Sequence, residues 1–451
     1  MAGPASIPPN LQHGRLIPHA AGFIGLSGLH RREQYAPGGW PSPGAGCFIS
    51  VLDYSQDRMT MSERHVPPND AGPADDRDLR LDFFRGLALW FIFVNHIPAN
   101  QLSWLTPRNF GLSDATEIFV FISGYTAAMV YGRTLERSGL PMAAAQVLHR
   151  CWTLYATYII LFFAFTAQIA YTARVFDSPL FAEEMGIAGY FQDPVTALTQ
   201  ALLLKFRPAN LDVLPLYIVL LLAFPLALPA LCRRPLLVLA GSAALYAAAH
   251  RFDWNLPTHP DGGVWYFNPF AWQFLFILGA VLQRLPALRA ALIRPRAPVL
   301  AAAVVFLAIS LYLVLSWQIA FLHALLPAWL TEFLYPISKT DLDPLRIAHF
   351  LALAYLAVQV VPSTAAWLKG PMAAPVLACG RQALHSFCLG ILLSFAAQTV
   401  LVHVNGSLSA QFLVTVLGLA GMVVLARLLT WYQSAERARR LRVPAARKSG
   451  V

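Results

Sequence analysis

The chain has 451 residues, 57% of them hydrophobic and only 12% charged, against roughly 25% charged in a soluble domain. Mean hydropathy is +0.54, and 33 basic residues against 23 acidic ones give a net charge of +10. These values exclude a disordered, collagen-like or disulfide-scaffold chain, and they argue against a soluble enzyme in favour of an all-α polytopic membrane protein. Arginines kept in cytoplasmic loops account for the positive balance. No basic–aromatic run suggests a nucleic-acid partner. Cys47, Cys151, Cys232, Cys379 and Cys388 are odd in number and form no CxxC pair, so neither a disulfide framework nor a metal site is expected.

Residues 1–77 are rich in Pro, Gly, Ser and His, and no apolar run there is long enough to cross a bilayer. They are expected to form a disordered cytoplasmic tail, with Met59 and Met61 as alternative starts. Residues 78–432 alternate apolar stretches with short polar loops and are read as the membrane domain. Ten spans are expected, near 82–99, 115–132, 152–171, 213–231, 236–250, 269–284, 297–317, 346–362, 376–401 and 410–432. Residues 318–336, interrupted by Pro327, are expected to lie along the interface. Residues 433–451 form a basic tail.

Charge placement orients these spans. Arg133, Arg137, Arg150, Arg233, Arg234, Arg284, Arg289, Arg294 and Arg296 fall in alternate loops with the basic tail. The intervening loops collect acids, among them Asp177, Glu183, Glu184, Asp193, Asp212 and Asp253. The asymmetry predicts both termini in the cytoplasm. No inverted repeat of the transporter kind is visible.

The first apolar stretch, RLDFFRGLALWFIFVNH, carries three ionisable residues, Asp82, Arg85 and His96. Such groups are costly in a membrane helix and usually face a cavity or a partner. Arg85 and His96 are eleven positions apart. That is three turns plus about 20°, so both lie on one face, about 16 Å apart along the axis. Asp82 lies one turn before Arg85 and is placed to pair with it. A permanent cation at one level and a neutral-range base at another suit acid–base chemistry. The plain alternative is a snorkelling arginine and a histidine that caps the helix.

Other polar groups follow in order, each with a structural alternative. Asp114 and Glu117 open the second span as an N-cap acid with an acid at N3. Ser123-Gly124 suits close helix packing. His149-Arg150 precedes the third span and suits positive-inside anchoring or a phosphate contact. Asp212 and Tyr217 enter the fourth span. Trp254, Trp265, Tyr266, Asn268, Trp272 and Gln273 are a sugar-stacking set or an interfacial belt. Arg346 and His349 follow Asp341 and Asp343, and Arg381 and His385 share a face of the ninth span. No Walker A, GxGxxG, HExxH or GxSxG pattern is present.

Arg85, ten residues, then His96 resembles the Arg-x10-His signature of the acyltransferase-3 superfamily, and IFVFISGY resembles its second-helix motif. More specifically, the chain resembles the OpgC family, the O-acyltransferases that succinylate osmoregulated periplasmic glucans of Gram-negative bacteria. The resembling segments are RLDFFRGLALWFIFVNHIPAN, FGLSDATEIFVFISGYTAAMVYG, LDVLPLYIVLL, WYFNPFAWQFLFILG, and DPLRIAHFLALAYL with GRQALHSFCLG. The resemblance implies an inner-membrane enzyme with no permanently bound cofactor, acyl-CoA (succinyl-CoA) as co-substrate and a periplasmic glucan as acceptor. It implies a catalytic set of His96, Arg85 and Glu117, with Arg150, Asp82 and Ser123 on the donor side. Asp114, Asp212, Trp265, Asn268, Gln273, Arg346 and His349 would meet the acceptor, with Arg381 and His385 as further candidates. The rival expectations are an O-acetyltransferase for O-antigen or another exported polysaccharide, and a solute transporter lined by Arg85 and His96.

Overall fold

A computed structural model describes residues 78–442 except 261 and 405, with the side chains of 440–442 left aside. The expected N-terminal tail lies outside the described residues. So do residues 443–451 of the basic C-terminal tail, whereas 433–442 continue the last helix.

Among the described residues the fold is helical, with one isolated β-bridge between Pro257 and Val264. The long helices are α1 (Leu79–Asn95), α2 (Ala115–Val175), α3 (Val213–Arg233), α4 (Pro235–Phe252) and α5 (Pro269–Arg284). Next come α6 (Ala297–Ser316), α7 (Pro344–Val360), α8 (Ala374–Arg381), α9 (Ala383–His403) and α10 (Leu408–Arg442). Several start on a recognisable cap. Asp78, Asp114, Asn268 and Asp343 each accept a backbone N–H of the first turn. Pro269 and Pro344 follow their caps at the first helical position, where a missing N–H costs nothing.

Every expected span contains helix, but the expected count of ten is not what these helices support. Five are long and apolar enough to cross a bilayer, within α2, α3, α6, α9 and α10. A sixth results if α5 and the short helix Pro286–Ile293, bent by 94°, count as one broken span. Two features account for most of the difference. The second and third expected spans run on from one another as two helices joined at a kink, where Gly139 takes φ 80° just before Pro141. And α1, α5 and α7 have 17, 16 and 17 residues, short of the ~20 that a 30 Å hydrocarbon layer requires. The ninth breaks at Gln382 into α8 and α9, of which α9 is long enough by itself. Residues 318–336 form two short helices, Ala320–Ala324 and Ala328–Leu334, with Phe321, Trp329 and Phe333 exposed.

The core is aromatic. Phe93, Tyr158, Phe162, Phe165, Phe224, Trp272, Phe276 and Phe395 are its largest fully buried side chains. Two crossings bring backbone against backbone. Where α2 meets α5, a methyl at Gly124 would run into the Phe276 carbonyl, and one at Gly279 into the Phe121 carbonyl. Where α1 meets α8, Gly86 faces the Val376 carbonyl and Gly380 the Asp82 carbonyl in the same reciprocal way. Small residues permit such contact, and dispersion gathers along the seam. By contrast α6 and α10 leave most of their apolar surface outward, with Val305, Ile309, Phe412 and Leu417 exposed. That is how a helix facing lipid tails is composed.

Candidate active site

The polar residues of α1 and α2 fall into two clusters. Arg85 donates to Thr126 Oγ1 at 3.2 Å, so α1 and α2 run antiparallel past each other at that level. Glu117 lies nine positions before Thr126, about 13 Å along α2. His96 caps the far end of α1. Between the two levels α1 presents Ala88, Leu89, Ile92 and Phe93 to the interior, all buried.

At the Arg85 end, Asp82 sits 3.7 Å from Arg85 and 3.7 Å from Arg381. The expected one-turn pair therefore forms, and α8 brings a second arginine to it. Arg289 donates to the Tyr125 hydroxyl at 2.9 Å. Arg150 lies within electrostatic reach of Tyr131 and His385. Ser123 is buried, at the level where α2 meets α5.

At the His96 end, the start of α2 is held by a four-charge network. Asp114 accepts the Thr116 N–H at 2.8 Å, and Glu117 reaches back to the Asp114 N–H at 2.8 Å, a complete capping box. The two carboxylates also hold distant cations. Lys339 Nζ is 2.5 Å from Asp114. Arg346, from α7, is 3.6 Å from Asp114, and its Nη2 is 2.6 Å from Glu117 while its Nε donates to Glu117 at 2.8 Å. Glu117 is 0% exposed. Burial pushes the Asp114 carboxyl up, but Lys339 and Arg346 outweigh it and hold it well below the usual carboxylate range.

Two histidines adjoin this network. His96 is half-buried, within electrostatic reach of Lys339, Arg108 and Asp114. Its Nδ1 is buried and makes no hydrogen bond of good geometry, with the Ile92 carbonyl nearby. His349, one turn after Arg346, is 3% exposed and contacts Ser113.

The remaining expected residues separate. Asn268 caps α5, donates to the Trp254 carbonyl at 2.7 Å and reaches Asp341 at 3.0 Å, which ties it to the loop that carries Lys339. Trp272 donates to the Lys339 and Thr340 carbonyls from below the same loop. Trp265 is buried under Arg207, 4.2 Å from the guanidinium, and Arg207 pairs with Asp212 at 3.0 Å. Gln273 stands apart, its amide bonded to Ser242 on α4.

Sequence reading did not single out Lys339, Ser113, Arg207 or Thr126, and it named Arg289 only as a loop charge. Lys339 had a signal. The chain has only four lysines among its 33 basic residues, and this one stands two positions before Asp341 in an otherwise acidic loop. The others are ordinary residues made important by partners far away in sequence. Among the described residues no group of three or more His, Cys, Asp or Glu is placed to hold a metal ion.

Comparison with known proteins gives one match. A family model described as OpgC protein matches residues 77–434. No curated protein and no solved structure matches the chain.

Proposed function

Because the chain belongs to the OpgC family over residues 77–434, we propose that it is a membrane O-acyltransferase that moves a succinyl group from cytoplasmic succinyl-CoA to hydroxyls of a periplasmic glucan. The observation that carries the reading is the place of His96, which caps α1 beside the Asp114–Lys339–Arg346–Glu117 network. An imidazole beside fixed charges is what hydroxyl activation needs.

In this reading the glucan hydroxyl gives its proton to His96 as its oxygen attacks the thioester carbonyl. The C–S bond breaks, and coenzyme A leaves as a thiolate that takes up a proton. Arg85, Arg289 and Arg381 favour the anionic donor at the other level, since guanidinium forks suit phosphate and carboxylate. Pantetheine would bridge the roughly 13–16 Å between the levels. Glu117 fixes Arg346 rather than acting as the base. The inside-loop arginines favour an inner-membrane protein with both termini in the cytoplasm. A ten-pass topology would need α2 to cross twice, with the turn at Gly139, and the shorter helices to cross thinned bilayer.

Mass spectrometry of periplasmic glucans from a deletion strain, with and without the gene restored, tests the reading. Loss of succinyl groups on deletion and their return on complementation are expected. Loss of acetyl groups from another polymer instead would move the acceptor and donor. Unchanged glycans with altered uptake of a solute would favour a transporter.

A further inference from the structure

The contact between His349 and Ser113 is more informative than its length suggests. Ser113 Oγ lies 2.7 Å from His349 Nδ1, and a hydroxyl can donate or accept. That distance alone leaves the ring's proton unassigned. The Ser113 backbone N–H settles it, since it points at the same Nδ1 at 3.3 Å and can only donate. Nδ1 is therefore an acceptor, and the Ser113 hydroxyl donates to it as well. The ring's single lone pair is in use, so His349 cannot serve as a base in this arrangement. Its proton sits on Nε2.

Gly111 packs against the Nε2 edge of the ring, and a methyl there would overlap Nε2 and Cε1 of His349. Among the described residues Nε2 meets no protein acceptor. Arg346, one turn earlier on α7, brings the Glu117–Asp114–Lys339 charges to the same place. His349 itself is 3% exposed and Ser113 is 2% exposed.

We propose that His349 is a second catalytic residue, a neutral imidazole whose Nε2–H donates to the carbonyl oxygen that becomes negative as the acyl group is transferred, with Ser113 and Gly111 as the positioning residues that fix its tautomer and its place. The proposal rests on the acyl-transfer reading. It divides the work between two histidines: His96 takes the proton, while His349, whose lone pair is in use, gives a hydrogen bond. A donor fixed before the reaction need not reorganise as charge develops.

Two measurements on the full chain in lipid nanodiscs test this. The first is independent of activity. Nitrogen-15 spectra of histidine-labelled protein at pH 7, with His349→Gln to assign the signal, should show His349 with the proton on Nε2. A proton on Nδ1, or a doubly protonated ring, overturns the proposal. The second measures transfer from succinyl-CoA to a glucan. Gln places an amide N–H near the Nε2 position, whereas Asn places it near Nδ1. His349→Asn should lower kcat by about 10²–10³-fold, the cost of one oxyanion donor, with the acceptor KM little changed. His349→Gln should stay within about tenfold of the native rate. Equal losses in the two variants at normal accumulation, or a raised KM with kcat intact, would make His349 a structural or acceptor-binding residue and sink the proposal. A native protein that transfers no acyl group would refute the acyltransferase reading instead, and the tautomer measurement would still stand on its own.

Discussion

Replacing Arg346 by Met asks whether the charges at the start of α2 clamp the bundle. Arg346 gives Glu117 an Nε hydrogen bond at 2.8 Å and an Nη2 ion pair at 2.6 Å, and Glu117 has no exposed surface. Its other oxygen accepts only the Asp114 N–H. Without the guanidinium, Glu117 is a buried carboxylate with no direct counter-charge and only the more distant Lys339 to favour it, and breaking a buried pair from one side costs about 3–5 kcal/mol. Asp114 loses its 3.6 Å contact with Arg346 but keeps Lys339 at 2.5 Å. Most of the cost therefore falls on Glu117, and adding Glu117→Gln should remove most of it. Thermal unfolding of the full chain in one detergent should give the lowest midpoint for Arg346→Met, with Arg346→Met/Glu117→Gln clearly above it. The coupling, read from a double-mutant cycle, should be at least ~1 kcal/mol, as for residues in one network. Additive losses, or an Arg346→Met protein that unfolds with the native one, would refute the account.

His96→Ala should reduce succinyl transfer by about 10²–10⁴-fold at normal accumulation, the usual cost of losing a general base; near-native transfer would remove His96 from the mechanism. Arg85→Lys keeps the charge but loses the planar fork to Asp82 and Thr126, so a partial loss is expected in the same assay, and full activity would count against a role for that geometry. Lys339→Met should lower stability at neutral pH and flatten its dependence on acid: Asp114 has a folded value below its unfolded one, so its stabilisation is present above the ordinary carboxylate range and lost as pH falls through the folded value. Without Lys339 the folded value rises toward the unfolded one, so unfolding midpoints taken from about pH 7 to about 3 should fall less in the variant than in the native protein, and a steeper fall would refute the account. Gly380→Ala should cut folded yield, because its methyl meets the Asp82 carbonyl, whereas Gly241→Ala meets nothing within 4 Å and should be neutral or stabilising; equal effects would undo the assignment of the α1–α8 crossing.

Features set by near neighbours were legible in the sequence. The Asp114–Glu117 capping box, the Asp82–Arg85 pair and the Asp-Pro start of α7 each involve residues one to three positions apart. The helical windows were legible for the same reason. The breaks were less so. Gly139 falls between the second and third expected spans, but Gln382 interrupts a helix without a polar loop, so hydropathy alone ran the ninth span across that break, and the helices long enough to cross number five or six. Partners across the bundle left no trace. Lys339 meets Asp114 over 225 positions and His349 meets Ser113 over 236, and nothing local in either sequence names the other. Gln273 illustrates the reverse. It stood among aromatics that suggested a sugar contact, but in the fold its amide turns to Ser242 on the neighbouring helix.

The two glycine crossings bear on how large substrates could enter. Helices that touch through long side chains can slide, because rotamers change at little cost. Carbonyl oxygens set against glycine Cα atoms have no such slack, so α1 with α8, and α2 with α5, each travel as one body. These are the very helices that carry Asp82, Arg85, Arg381 and Glu117. The Asp82–Arg85–Arg381 cluster therefore keeps its internal spacing whatever the bundle does, whereas Glu117 is tied to α7 by the side chain of Arg346 alone. Any gate for a glucan or a coenzyme has to open along seams not fastened in this way, such as the outer pair α6 and α7.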